Sequence, residues 1–285
     1  MKNQKLSATV PPSALQYGLF VQAALDVYTL YPTVLSPTQD QYPSFPGGYT
    51  LLANIQMNDF FGTDKTTAYF GFIAVDNANP TSIVVSIRGT KSIMEWWDDF
   101  QVSSTPCPFA PNSGKVESGF LELYNSLHIS TPGSTGNNTI ALRETVFTGL
   151  KSEFDLGQYK QVTMVGHSLG SSLVTLYGLD MAAQNSSKEV IIYTFASPCT
   201  GDQDFVNYYN TIIHESYRIY NEPDIVPKSL LLLGYSHVPV GIEVNSLLYS
   251  WIKQSIGCFH SLGTYLFLVG GEASLVGAPC TVTAP

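Results

Sequence analysis

Apolar positions along this chain change period several times, and the changes mark out its elements. From Ser13, spacings of three and four between Leu15, Leu19, Phe20, Ala23, Ala24 and Val27 place one stripe on one side of a helix, with Ser13 as its cap. A Pro/Gly-rich stretch, residues 31–48, reads as a loop. Strand-like runs follow at 49–57, 67–75 and 81–88, with Asp76-Asn77-Ala78-Asn79-Pro80 as the turn between the last two. The third run is rich in Val and Ile and has the character of a central strand. Residues 119–127 and 140–154 carry helical spacing, separated by a loop, 130–138, made almost wholly of Ser, Thr, Pro, Gly and Asn. From Gln161 strand and helix alternate: strand 161–165, an apolar helix from Ser171, strand 190–195, helix 203–212, strand 217–220. That alternation predicts an α/β fold with a mostly parallel central sheet and helices on both faces. With no repeat and no linker in view, residues 1–285 are expected to form one domain.

Composition narrows the possible partners. Charged residues make up 12% of the chain and hydrophobic residues 44%, an apolar globular composition. The net charge of −9 argues against nucleic acid, whose phosphates require clustered Lys and Arg, and suits a neutral or apolar substrate. No run approaches the roughly 18 apolar residues of a membrane span, so no integral membrane segment is expected. The polar start, Met1 to Pro12, carries two lysines but no apolar stretch of signal-peptide length. The expectation is therefore a cytoplasmic protein, or one secreted without a leader or after processing. Cys107, Cys199, Cys258 and Cys280 have the spacing of neither a disulfide framework nor a zinc site. Free buried thiols are the plain reading, and pairing is the alternative.

The chemistry sits in Gly166-His167-Ser168-Leu169-Gly170, a G-x-S-x-G pattern between a short apolar strand and an apolar helix. In that context the pattern is a nucleophile elbow. A sharp turn exposes the serine hydroxyl, and small residues two before and two after it let strand and helix approach. The elbow belongs to α/β-hydrolases, in which the serine is followed along the chain by an acid and then by a histidine. Asp180 falls within the helix that starts at the elbow, and Asp202 and Asp204 stand where helix caps stand. Asp224 lies just past a strand end, at the edge of an open sheet where sites form, and is the acid of choice. Of the histidines, His214 comes too early and His237 lies inside an extended apolar run; His260, in a loop-to-helix position, is the expected base. The oxyanion donors are expected at the Leu169 N–H and at Thr90, just after the central strand. Such a site needs neither metal nor organic cofactor.

Arg88-Gly89-Thr90, Trp97 to Phe100, Val116 to Phe120, the elbow, Phe195 to Pro198 and Asn221 to Pro227 occur in the order found in class 3 lipases, the fungal-type triacylglycerol lipase family. His260 to Leu266 resembles the plant and bacterial branch. The resemblance implies an α/β-hydrolase fold with a short lid helix, a Ser168–Asp224–His260 triad, and Thr90 and Leu169 as oxyanion donors. It also implies hydrolysis of acylglycerol esters with transient contact at lipid interfaces; phospholipase A, galactolipase and feruloyl-type esterase are close alternatives, and a lipid-binding pseudoenzyme is a remote one. Residues 92–100 fall at the lid position, so Ile93, Met94, Trp96 and Trp97 are expected to face substrate, with a core helix as the alternative. His167, Val226, Leu230 and Leu231 are expected among the substrate-binding residues, with Leu230 to Leu233 lining the acyl groove, although a run of leucines also suits plain core. Glu117 stands where the family commonly has His, and Cys199 where it commonly has Arg.

Overall fold

The computed structural model describes residues 9–58, 66–90, 102–135, 139–146 and 156–282. In chain order these form helix α1 (Ala14–Leu30) and strands β1 (Tyr49–Asn58), β2 (Thr67–Asp76), β3 (Ser82–Ile87), β4 (Ser104–Pro106) and β5 (Lys115–Glu117). Helix α2 (Ser118–Asn125) and strands β6 (His128–Ser130), β7 (Ile140–Ala141) and β8 (Gln161–His167) lead into helix α3 (Leu169–Gln184) and β9 (Glu189–Phe195). The remainder is β10 (Gly201–Asp202), α4 (Gln203–Ile212), β11 (Glu215–Asn221), β12 (Tyr235–Ser236), β13 (Gly241–Val244), α5 (Ile256–His260) and α6 (Leu262–Leu268).

The main sheet has the order β13-β11-β9-β8-β3-β2-β1-β6-β7, and β12-β10-β5-β4 form a small second sheet. From β3 through β8, β9 and β11 to β13 every neighbour is parallel, whereas β2, β1, β6 and β7 continue from β3 as an antiparallel half. The sheet is thus mixed rather than mostly parallel. The physical reason is connection length: parallel neighbours need a crossover of a dozen or more residues, and the links 59–66 and 77–81 allow only antiparallel return.

Alternation along β3 divides the core. Ile83, Val85 and Ile87 point into one apolar cluster with Leu173, Val174 and Leu176 of α3, while Val84 points to the other with Phe20, Ala23 and Ala24 of α1. Helices therefore cover both faces. Helix α3 is buried on every side from Leu169 to Ala182, as befits an all-round apolar helix clamped between the sheet and its neighbours. Among the described residues, no helix is long and apolar enough to cross a membrane.

Three local expectations are corrected. Residues 140–154 do not form one helix: Ile140–Ala141 pairs with β6 and residues 142–146 form a 3₁₀ turn, because the edge strand β6 needs a partner for its ladder groups; residues 147–155 lie outside the described set. Ser13 precedes α1 but its hydroxyl bonds Tyr193 Oη at 2.7 Å instead of capping the helix. Cys258 and Cys280 form a disulfide, while Cys107 and Cys199 are free and buried.

Asp180 shows what a buried charge requires. It is fully buried within α3, where it accepts from Tyr124 Oη at 2.7 Å and from Arg143 Nε at 2.8 Å. An Asp180→Ala substitution leaves the buried Tyr124 hydroxyl without its acceptor, and the urea midpoint should report a loss of about 1–3 kcal/mol. An unchanged midpoint would show that the network contributes nothing net.

Candidate active site

Strand β8 ends in the tight turn that sequence reading placed there. Ser168 has φ 55° and ψ −125°, a left-handed conformation that costs a non-glycine residue on the order of 1–3 kcal/mol. The surroundings hold it there: its N–H donates to the Phe195 carbonyl at 2.9 Å, and Ser171 N–H donates to its carbonyl at 2.9 Å. Gly166 is required because a Cβ there would lie 2.3 Å from the Gly170 carbonyl oxygen. Ser168 is 2% exposed, and among the described residues its Oγ has no hydrogen-bond partner.

Asp224 follows β11 and is almost fully buried. Its Oδ2 accepts from His260 Nδ1 and from Tyr265 Oη, each at 2.8 Å, and its Oδ1 accepts from Val226 N–H at 3.0 Å. A carboxylate can only accept, so His260 Nδ1 donates in that bond and Nε2 is the ring nitrogen left for other partners. Among the described residues His260 Nε2 is unpartnered, and it is not hydrogen-bonded to Ser168 Oγ. Among the described residues, Ser168 Oγ and His260 Nε2 are thus both free of competing hydrogen bonds.

His167, which precedes Ser168, packs beside His260. Its Nε2 donates to the His260 carbonyl at 2.8 Å, and the two rings lie 4.9 Å apart. Burial, reinforced by the neighbouring His260, pushes its pKa down to about 3, so the ring stays neutral. Val226 is buried, and its N–H donates to Asp224. Leu230 packs in the core cluster that also contains Leu169, whereas Leu231 on the next turn is 45% exposed. Ile93, Met94, Trp96 and Trp97 lie outside the described residues, as does the whole 92–100 segment.

At the other flank Leu169 opens α3, so its N–H is one of the helix's unsatisfied donors and follows the nucleophile directly. Gly89 abuts the elbow, since a Cβ there would lie 3.0 Å from Ser168 Cβ, and this brings Thr90 alongside; Thr90 Oγ1 has no partner among the described residues. Arg88 was passed over at the sequence level except as part of a motif. It is buried between the rings of Tyr28 and Phe70, 3.5 and 4.1 Å from their centroids, with Nε donating to the Tyr69 carbonyl and Nη1 to the Gly89 carbonyl. A trans peptide points its C=O and N–H in opposite directions. Holding the Gly89 carbonyl therefore fixes the direction of the Thr90 N–H.

Tyr265 and Asn221 were also missed, because only the three-dimensional arrangement brings them here. Tyr265 Oη accepts from Asn221 N–H at 2.9 Å while donating to Asp224. Asn221 Nδ2 donates to the Phe259 carbonyl at 2.9 Å, next to the base. Glu117 is buried and serves structure: it accepts from Phe120 N–H at the start of α2, and burial raises its pKa. His237 Nε2 bonds the Pro227 carbonyl at 2.6 Å, consistent with a structural histidine.

An elbow serine at the end of a parallel strand, with a histidine–aspartate pair on the loops beyond neighbouring strands, is the arrangement of the α/β-hydrolase fold. Residues 84–233 match the class 3 lipase family. A phospholipase A1-II 3 of Oryza sativa subsp. indica is 31% identical over an alignment of 230 residues that covers 71% of this chain and 53% of that protein. Phospholipase A1-IIalpha of Arabidopsis thaliana is 28% identical over 232 residues, covering 72% of this chain and 54% of its own. The native Rhizomucor miehei lipase propeptide complex superposes with a TM-score of 0.58 at 20% identity, over 90% of this chain and 78% of that one. The chain belongs to the class 3 lipase family, and it spans about half the length of the curated relatives it matches.

Two outcomes test this geometry. Tyr265→Phe removes one of the two side-chain donors on Asp224, a charge-assisted bond worth about 1.5–3 kcal/mol, so kcat on a dissolved ester should fall about ten- to hundredfold at unchanged KM. Unaltered kcat would show that His260 and Val226 suffice. Because the folded state keeps His167 neutral down to about pH 3, the unfolded chain binds the extra proton below its ordinary value of 6.5. Stability is complete above pH 6.5 and is lost as pH falls toward 3. Thermal melts should show His167→Gln, which keeps an Nε2-type donor, declining less steeply across that window; parallel curves would sink the assignment.

Proposed function

We propose that this protein is a serine carboxylic ester hydrolase acting on acylglycerols. The observation that carries the reading is the pairing of His260 Nδ1 with Asp224 Oδ2 at 2.8 Å beside a serine strained to φ 55° at a nucleophile elbow. In the proposed cycle His260 Nε2 takes the proton from Ser168 Oγ as Oγ attacks the ester carbonyl carbon. The negative charge on the carbonyl oxygen is met by N–H donors of Leu169 and Thr90, each such donor being worth about 3–4 kcal/mol in comparable sites. As the tetrahedral intermediate collapses, the ester C–O bond breaks and His260 returns the proton to the departing alkoxide. Water then attacks the acyl-enzyme by the same route, releasing the fatty acid and restoring Ser168. The buried Asp224 keeps the His260 ring in the correct tautomer throughout.

The apolar character of the chain and the Leu-rich turn after Asp224 support a lipid substrate and transient contact with lipid interfaces. A phospholipid acyl ester is the second reading, favoured by the plant relatives named phospholipase A1. One triad serves either substrate, since the head group lies away from the reacting carbonyl.

The deciding experiment is hydrolysis of tributyrin across its solubility limit and of phosphatidylcholine, with wild type, Ser168→Ala and Asp224→Asn in parallel. Ser168→Ala should abolish turnover, and Asp224→Asn should lower kcat about 10⁴-fold with the fold retained. Turnover that survives Ser168→Ala would sink the reading. A Ser168-dependent rate on phosphatidylcholine well above that on tributyrin would select the second one.

A further inference from the structure

The buried ring of His167 touches each part of the site. His167 is the last residue of β8, so the sheet fixes its backbone, and the residue after it is the nucleophile. On one side a Cβ on Gly89 would lie 3.2 Å from His167 Nδ1, which places the ring against the loop that presents Thr90. On the other side the ring centroid is 4.9 Å from that of His260 and 6.1 Å from that of Tyr265. Those two side chains are the donors to Asp224 Oδ2.

Hydrogen bonds add direction to these contacts. Nε2 donates to the His260 carbonyl at 2.8 Å, and because burial keeps the ring neutral, its one N–H is the one used there. That carbonyl ends α5, a helix of five residues whose last C=O groups have no partner within the helix. The carbonyl before it, that of Phe259, accepts from Asn221 Nδ2 at 2.9 Å. Two successive peptide groups at the base are thus held from two strand ends, β8 through His167 and β11 through Asn221. The bond from Nδ1 to Asp224 orients the His260 ring. How far the ring stands from Ser168 is set by its main chain, and that is what the two side chains hold.

We infer that His167 is a positioning residue for the base: by holding the His260 carbonyl from the position next to Ser168, it sets the distance between His260 Nε2 and the nucleophile. The inference deepens the reading of the site as a serine hydrolase and rests on it. A displacement of about 1 Å at a reacting group costs on the order of a hundredfold in rate. Since His167 acts through His260, its loss slows the chemical step and leaves substrate affinity as it was.

The test compares His167→Gln with His167→Asn on a dissolved ester, with wild type and Ser168→Ala alongside. A glutamine amide reaches the place of the histidine Nε2, whereas an asparagine amide reaches only that of Nδ1, so the two polar variants differ in whether the bond can form. His167→Asn should lower kcat about ten- to hundredfold at unchanged KM, and His167→Gln should stay within about threefold of wild type. Labelling of Ser168 by an organophosphonate separates positioning from folding: His167→Asn should reach the same final extent as wild type, more slowly by the factor seen in kcat. Equal kcat for the two variants, a final extent that falls in proportion to kcat, or a raised KM at unchanged kcat would each overturn the inference. Wild-type turnover that is absent or survives Ser168→Ala would overturn the hydrolase reading, and this inference with it.

Discussion

A single buried carboxylate organises the C-terminal third of this molecule. Asp224 is 1% exposed, and a charge so placed is tolerable only if donors surround it. They come from separate segments: the Val226 N–H from its own loop, His260 from the end of α5 and Tyr265 from α6. Satisfying the charge therefore draws the last two helices over the end of β11, and in doing so sets the His260 ring. Stability and the proposed chemistry share this interaction, because His260, the proposed base, is itself one of the donors that satisfy the buried charge.

The same economy holds on the serine side. The strained turn at Ser168 is held between the Phe195 carbonyl, which also accepts from Ser171 Oγ, and the first turn of α3. His167 bridges the two halves by holding the His260 carbonyl, and Arg88 aligns the Gly89 carbonyl on the opposite flank. Each group that would touch a reacting atom is backed by a neighbour on a strand or a helix, which is what a site of fixed geometry requires. In this reading the neutral state of His167 matters as much as its position, since a second positive charge beside His260 would weaken the base.

Legibility in the sequence followed the range of the interactions. The elbow could be read because five consecutive residues impose it, and Asp224 because it directly follows a strand whose end lies on the open edge of the sheet. The parallel half of the sheet could be read from alternating strand and helix. The antiparallel half could not, because β1 to β3 are buried on both faces and carry no periodic mark of direction; only their short links reveal it. His167 and Val226 were expected among the substrate-binding residues; both are buried, and the bonds they make, to the His260 carbonyl and the Asp224 carboxylate, span 93 and 2 residues in sequence. Tyr265, Asn221 and the Cys258–Cys280 pair act over comparable separations, which no local pattern announces.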